Sequence, residues 1–219
     1  MNGDGGNKKH RFIVFNLENN NEMDADEQLK AKLKEIWAKS QDWDESLTSE
    51  EGIFIVKYPS SGINQAYLGI KFKKNQYTKK GIYVKSRKEV TVFRDLLNHK
   101  EINNFFNQIS TDRQLQKSIG GLQDWDQLPT SVPGISYTKM PDDNDPSGIP
   151  ALSINPVDDL GKKMKRKNLF VRDQEELEKY RLLFNNEKVE RLSRIIEVVN
   201  DELSLEMRVA QSKVMGKYK

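Results

Sequence analysis

The sequence predicts an α+β protein made of two related units, each an antiparallel sheet followed by a helix, with an amphipathic helix after the second. Three observations carry this. A stretch beginning at Gln41 returns at Gln123, short β-branched and aromatic runs alternate with turn residues, and helical periodicity follows the last such run of each unit.

The repeat comes first because it sets the architecture. QDWDESLTSEEGIFIVKYP, from Gln41, aligns without a gap on QDWDQLPTSVPGISYTKMP, from Gln123. Thr48-Ser49 falls on Thr130-Ser131, Gly52-Ile53 on Gly134-Ile135, Lys57 on Lys139 and Pro59 on Pro141, an offset of 82. Farther on, residues 80–102 align with 167–189 at an offset of 87, with Ile82-Tyr83-Val84-Lys85 on Leu169-Phe170-Val171-Arg172 and Arg94 on Arg181. Ser61-Gly62-Ile63 is aligned with Ser147-Gly148-Ile149, and the difference in offset is assigned mainly to the extra residues 142–145. A tandem duplication accounts for both blocks. The chain divides into a lead-in over 1–27, a first unit over 28–110, a second over 111–197 and a helical extension over 198–219.

The elements follow in order. Residues 11–17 read as a strand, and residues 24–40 as an amphipathic helix with Leu29, Leu33, Ile36 and Trp37 on its apolar stripe. GIFIVKYP, AYLGIKFKK and GIYVKS then read as three strands, and residues 87–109 as one helix with Val90, Phe93, Leu97, Phe105 and Ile109 inward. The second unit repeats the order with GISYTKM, PALSIN and KNLFVR, then a helix over 174–184. Asp173 is its N-cap and Glu176 completes a capping box. From Glu187 onward Val189, Leu192, Ile196, Val199, Leu203 and Met207 recur every three or four residues, a helix for packing or for a partner.

Strand alternation assigns the faces. Ile53, Ile55, Ile82 and Val84, with Ile135, Tyr137, Leu169 and Val171, point toward the helices. Phe54, Val56, Ser136 and Thr138 mark the wetter side, together with Tyr83, Lys85, Phe170 and Arg172. The two Asp-Trp-Asp motifs, around Trp43 and Trp125, read as core anchors.

Charge is nearly balanced at +3, yet residues 71–88 hold eight Lys or Arg and no acid, interleaved with Phe72, Tyr77 and Tyr83. Lysines track a phosphate backbone and an exposed aromatic ring stacks a base, and a single strand offers both. The same composition also suits a solvated edge strand guarded against aggregation, or a protein contact.

YLGIKFKKNQYTKKGIYVKSRKEVTVFRDLL resembles the PC4-like transcriptional coactivator domain. The match runs through Lys80-Gly81-Ile82, Glu89, Leu96 and Leu97, with Lys167-Asn168-Leu169, Glu176 and Leu183 as the second-unit counterpart. The resemblance implies a twisted antiparallel sheet followed by a helix, and two-fold pairs whose sheets form a groove for single-stranded DNA. Here the duplication would make one chain a pseudo-dimer. The binding residues then expected are Lys71, Lys73, Lys74, Lys79, Lys80, Tyr83, Lys85 and Arg87 in the first unit. In the second they are Lys162, Lys163, Lys165, Arg166, Lys167, Phe170 and Arg172. Asp158 and Asp159 sit in the second unit's hairpin and argue against equal binding by the two units.

Other classes find less support. Cysteine is absent, and two histidines are too few for a histidine-rich metal site. The acidic run 141–148 lacks the spacing of a calcium loop and reads as a solvated turn. No phosphate-binding glycine loop or nucleophile-base arrangement stands out, so no enzyme and no cofactor are expected. The opening residues lack a signal-peptide pattern and no run suits a membrane span. The expectation is an intracellular binder of single-stranded DNA or RNA in transcription or replication, nuclear in a eukaryote and cytoplasmic otherwise. The alternative is an adaptor that engages a protein partner, or itself, through the C-terminal helix.

Overall fold

A computed structural model describes residues 22–39, 41–42, 45–48, 51–58, 65–70, 82–142, 144–165 and 167–215. The elements are α1 (Glu22–Lys39), β1 (Glu45–Leu47), β2 (Ile53–Tyr58), β3 (Gln65–Ile70), β4 (Ile82–Val84), α2 (Arg87–Leu97), α3 (Ile102–Thr111) and α4 (Arg113–Gly120). They continue with β5 (Gln127–Pro129), β6 (Ile135–Met140), β7 (Ile149–Ile154), β8 (Leu169–Val171), α5 (Gln174–Phe184) and α6 (Glu187–Met215). The expected strand over 11–17 lies outside the described residues.

The strands make two sheets, β1-β2-β3-β4 and β5-β6-β7-β8, each in sequence order. Every pairing with a described register is antiparallel. The registers correspond. Glu45 faces Val56 as Gln127 faces Thr138, and Ile53 faces Ile70 as Ile135 faces Ile154. The turns ahead of β2 and β6 correspond as well. Thr48 Oγ1 donates to the Ile53 carbonyl at 2.9 Å, and Thr130 Oγ1 donates to the Ile135 carbonyl at 2.9 Å. Gly52 and Gly134 both adopt positive φ, 84° and 88°. At Gly134 a Cβ would also stand 3.0 Å from the Asn155 carbonyl, so glycine is required there twice over.

Some expectations need correction. β1 and β5 were not anticipated, because three residues are too few to show a period. The helix expected over 87–109 is two, α2 and α3, broken at Asn98–Glu101, where Asn98 Nδ2 donates back to the Arg94 carbonyl. The extra residues of the second half are shared between two loops. The offset is 82 from β2 to β6, 84 from β3 to β7 and 87 from β4 to β8, so the alignment of Ser61-Gly62-Ile63 is not the one the strands follow.

Two compact units result. One gathers α1, the first sheet apart from Ile82, and α6 from Arg191; the other gathers α2 to α5, the second sheet and α6 up to Glu190. The helix pair that follows the first sheet covers the second one, since α3 packs on β7 and α4 on β6 and β7. Within the first unit Leu29 and Leu33 of α1 are buried, Lys57 Nζ donates to the Trp37 carbonyl at 3.1 Å, and Asp26 bridges Arg191 and Arg194. Glu202 holds Lys30 and Lys34, both at 2.6 Å. Along α6, Val189, Leu192, Ile196 and Val199 are buried as the periodicity predicts, whereas Leu205 is 63% exposed.

Within the second unit α2 packs on α5 through reciprocal contacts. Arg94 Nε donates to the Phe184 carbonyl and Arg181 Nε to the Leu97 carbonyl, both at 2.8 Å. Asn98 and Asn185 donate to each other, and the Phe93 and Phe184 rings stack at 5.5 Å. Each helix thus has a carbonyl of its last residue satisfied by an arginine of the other. Asp173 caps α5 as expected, accepting from the Glu176 amide at 2.8 Å. Glu176 reaches back to the Arg172 amide rather than to that of Asp173.

Candidate nucleic-acid interface

Alternation and register divide the second sheet into two faces. Ile135, Tyr137, Leu152, Ile154, Leu169 and Val171 are buried on the helix side, where the Tyr137 ring meets Phe105 of α3 edge-on at 5.9 Å. On the other face Ser136 lies opposite Ser153, and Ser153 opposite Phe170. Gln127 shares that face, and its Nε2 donates to Ser153 Oγ at 3.0 Å. Small hydroxyl residues at the centre leave a cleft of about 250 Å³, lined in part by Gln127, Ser136, Ser153 and Lys163.

The β7–β8 loop is a built structure rather than a loose basic tract. Asn155, 3% exposed, donates to the Lys165 carbonyl and to Asn168 Oδ1, both at 2.8 Å, and accepts from the Lys165 amide at 3.1 Å. The Met164 amide donates to the Pro156 carbonyl, and Val157 bridges to Lys163. Asp158, expected to weaken this hairpin as an anion site, turns its carboxylate inward on the Leu160 and Lys162 amides at 3.0 and 2.9 Å.

The cations separate accordingly. Lys162, Lys163 and Lys167 are exposed, and Lys163 Nζ donates to Gln127 Oε1 at 2.6 Å at the edge of the cleft. Lys165 turns away to an ion pair with Glu89, where both side chains are nearly buried, so it is not on the open surface. Arg172 pairs with Glu176 at 3.3 Å. Arg87 pairs with Glu190 at 2.6 Å, although its side chain is 60% exposed. Glu190 also accepts from Arg94 at 3.1 Å, and these arginines, Arg94 foremost, hold its carboxyl below the usual carboxylate range. Lys85, directly after β4, is exposed. Lys71, Lys73, Lys74, Lys79, Lys80 and Arg166 lie outside the described residues.

The aromatic expectations hold in part. Tyr83 and Phe170 are half-buried on the side opposite Ile82, Val84, Leu169 and Val171, as alternation requires. Phe54, counted on the wetter side, is only 2% exposed and meets Tyr83 edge-on at 6.1 Å. Val56 is 1% exposed, and Thr138 is buried with its hydroxyl on the Asp126 carbonyl at 2.8 Å. Alternation names the face of a strand and not what covers it.

Trp125 reverses its expected role. It is 41% exposed instead of a core anchor, and its ring packs on Phe170 at 5.1 Å. Its φ of 70° is unusual for an aromatic residue, and its amide donates to the Lys139 carbonyl at 2.7 Å. Trp43, its counterpart, lies outside the described residues. Trp125, Gln127 and Ser153 were all missed as site residues. The available signal was the repeat itself, which sets Ser136 where the first unit has Phe54.

The arrangement offers stacking surface, hydroxyl and amide hydrogen bonds, and cations on one face. Among the described residues no group of three or more His, Asp or Glu could hold a metal ion, and no helix is long and apolar enough to cross a membrane. The acidic turn has Asp145 Oδ1 accepting from the Ser147 amide at 2.8 Å and hydroxyl at 2.6 Å, an ordinary exposed turn. Comparison with protein-family models, curated proteins and solved structures finds no match.

Proposed function

We propose that this chain is a non-catalytic binder of single-stranded DNA or RNA, built as a tandem duplication in which the two PC4-like halves form a pseudo-dimer. The observation that carries the binding reading is the Trp125–Phe170 pair, beside a cleft edged by Lys163 and a loop that also exposes Lys162 and Lys167. Stacking rings together with cations suit a single strand, because a duplex hides its base faces. The pseudo-dimer reading rests on corresponding strand registers and on the reciprocal Arg94 and Arg181 bonds between α2 and α5. In this reading Lys71, Lys73, Lys79 and Lys80 add a second basic tract.

The test is fluorescence anisotropy with single-stranded DNA, single-stranded RNA and duplex of equal length at about 50 and 200 mM salt. Changing Lys162, Lys163 and Lys167 to Glu is expected to lower the slope of log affinity against log salt by roughly two for single strands. Trp125→Ala is expected to weaken binding by roughly tenfold without changing that slope. No binding to any of the three at low salt overturns the reading.

The adaptor reading is favoured by one observation. α6 runs to Met215, well past Asn200, and exposes Leu205. Truncation after Asn200 would abolish complex assembly under that reading and spare nucleic-acid binding under the first.

A further inference from the structure

We infer that the cleft on the open face of the second sheet is a base-reading subsite that takes one carbonyl-bearing pyrimidine, thymine or uracil, in preference to adenine. This rests on the single-strand reading above and adds the chemistry of recognition to it.

Size is the first argument. At about 250 Å³ the cleft falls below the roughly 300–1,000 Å³ of pockets that enclose drug-sized ligands. It suits a single planar heterocycle.

Hydrogen-bond accounting is the second. Gln127 spans the floor, with Oε1 accepting from Lys163 and Nε2 donating to Ser153 Oγ. The amide orientation is therefore set from both ends. One Nε2 hydrogen remains, and the Ser153 hydroxyl, which accepts once, keeps its proton to donate and one further lone pair. The Ser136 hydroxyl has no partner among the described residues. The remaining Gln127 hydrogen and the Lys163 ammonium can only donate, whereas each hydroxyl has a proton to donate and keeps at least one acceptor lone pair. Such a set matches a base edge rich in carbonyl oxygens. Adenine has ring-nitrogen acceptors but no carbonyl, and its exocyclic amino group would meet the donor-only Gln127 amide hydrogen and Lys163 ammonium on that edge. Donors left without acceptors in a partly desolvated cleft are what gives a site its selectivity.

Backbone geometry is the third. Trp125 is held at positive φ, a region an aromatic residue seldom adopts. The conformation brings its ring onto Phe170, and Phe170 lies directly across the ladder from Ser153. A stacking surface thus borders the donor set.

The experiment compares oligo-dT, oligo-dA and an abasic oligomer of equal length at one salt concentration. It uses the full chain and the Ser136→Ala, Ser153→Ala double variant, with thermal unfolding to check that the variant is folded. Ser136→Ala alone, at a half-exposed position, serves if the double variant is not. The wild type is expected to prefer dT over dA by roughly tenfold, the order expected of one or two neutral hydrogen bonds. The variants are expected to lose most of that preference while keeping the salt dependence, and the abasic oligomer is expected to bind more weakly than dT. Equal dT and dA binding, or a preference that survives in the folded variants, overturns the subsite and leaves the single-strand reading standing. Absence of binding to all three oligomers overturns both.

Discussion

The first and second sheets share strand order and corresponding pairing registers, but present different chemistry at equivalent positions. In the first, Phe54 and Val56 are buried, and Phe54 meets Tyr83. In the second, Ser136 takes the position of Phe54, Trp125 packs on Phe170, and a cleft opens between Ser136, Ser153 and the β7–β8 loop. The alternate positions do not diverge in this way: Ile53 and Ile55, like Ile135 and Tyr137, stay apolar and buried. Two sheets of corresponding register thus share an apolar, buried set of alternate positions, while the other set is packed in the first sheet and carries polar residues in the second.

The largest expected effect breaks this contrast directly. Phe54→Ser should destabilise the protein by about 3–5 kcal/mol, because it removes a buried ring and leaves a cavity. Ser136→Phe, the reverse exchange on the second sheet, should change stability by about 0.5 kcal/mol or less, since its side chain is half-exposed beside open space. It should nonetheless block nucleic-acid binding under the proposed function. Urea denaturation of both variants reads the first effect, and equal losses of stability would mean that the two faces are not different in kind.

A smaller effect sharpens the comparison between α2 and α5. Arg181→Ala and Arg94→Ala each remove a bond to the last carbonyl of the other helix, and each should cost about 1–2 kcal/mol. Arg94 also pairs with Glu190, so its loss should be the larger. The double variant should depart from additivity by about 0.5 kcal/mol or more, because the two bonds brace one interface. Strict additivity in denaturant midpoints would argue that the helices are held by their rings alone.

The smallest effect is electrostatic. Arg94 and Arg87 depress the Glu190 carboxyl, so the folded form holds this proton less tightly than the unfolded chain does. The corresponding stability is present above the ordinary carboxylate range and is lost as pH falls through the lower folded value. Glu190→Gln should therefore be less stable than the parent near about pH 7, with the gap closing toward about pH 3. A gap independent of pH would assign the effect to packing. The site is partly exposed, so added salt should narrow the gap as well.

Local chemistry made much of this fold legible. The α5 boundaries follow from Asp173, which caps, and from apolar spacing that ends at Phe184. The buried positions of β4 and β8 follow from alternation across Ile82-Tyr83-Val84 and Leu169-Phe170-Val171. The stripe of α6 follows from Val189, Leu192, Ile196 and Val199. The aligned blocks at Gln41 and Gln123 predict the matching order of β2, β3 and β4 with β6, β7 and β8.

Other features were decided only when distant residues met. The break between α2 and α3 at Asn98–Glu101 and the three-residue strands β1 and β5 carry too little local pattern to be read. Lys162, Lys163, Lys165 and Lys167 look alike in a basic run, yet Lys165 finds Glu89 while the others remain exposed, because Asn155 sets the course of the loop. Trp125 looks like a core residue by composition, and a positive φ together with Phe170 puts it on the surface. Sequence by itself determined the longer strands, α1, α5 and the stripe of α6, and the inward faces of β4 and β8, since those depend on periods and caps within a few residues. Tertiary structure alone decided which cations stay in solvent, which rings are covered and where a cleft opens, since those depend on partners distant in the chain, such as Lys165 and Glu89, 76 residues apart, or Arg94 and Glu190, 96 apart.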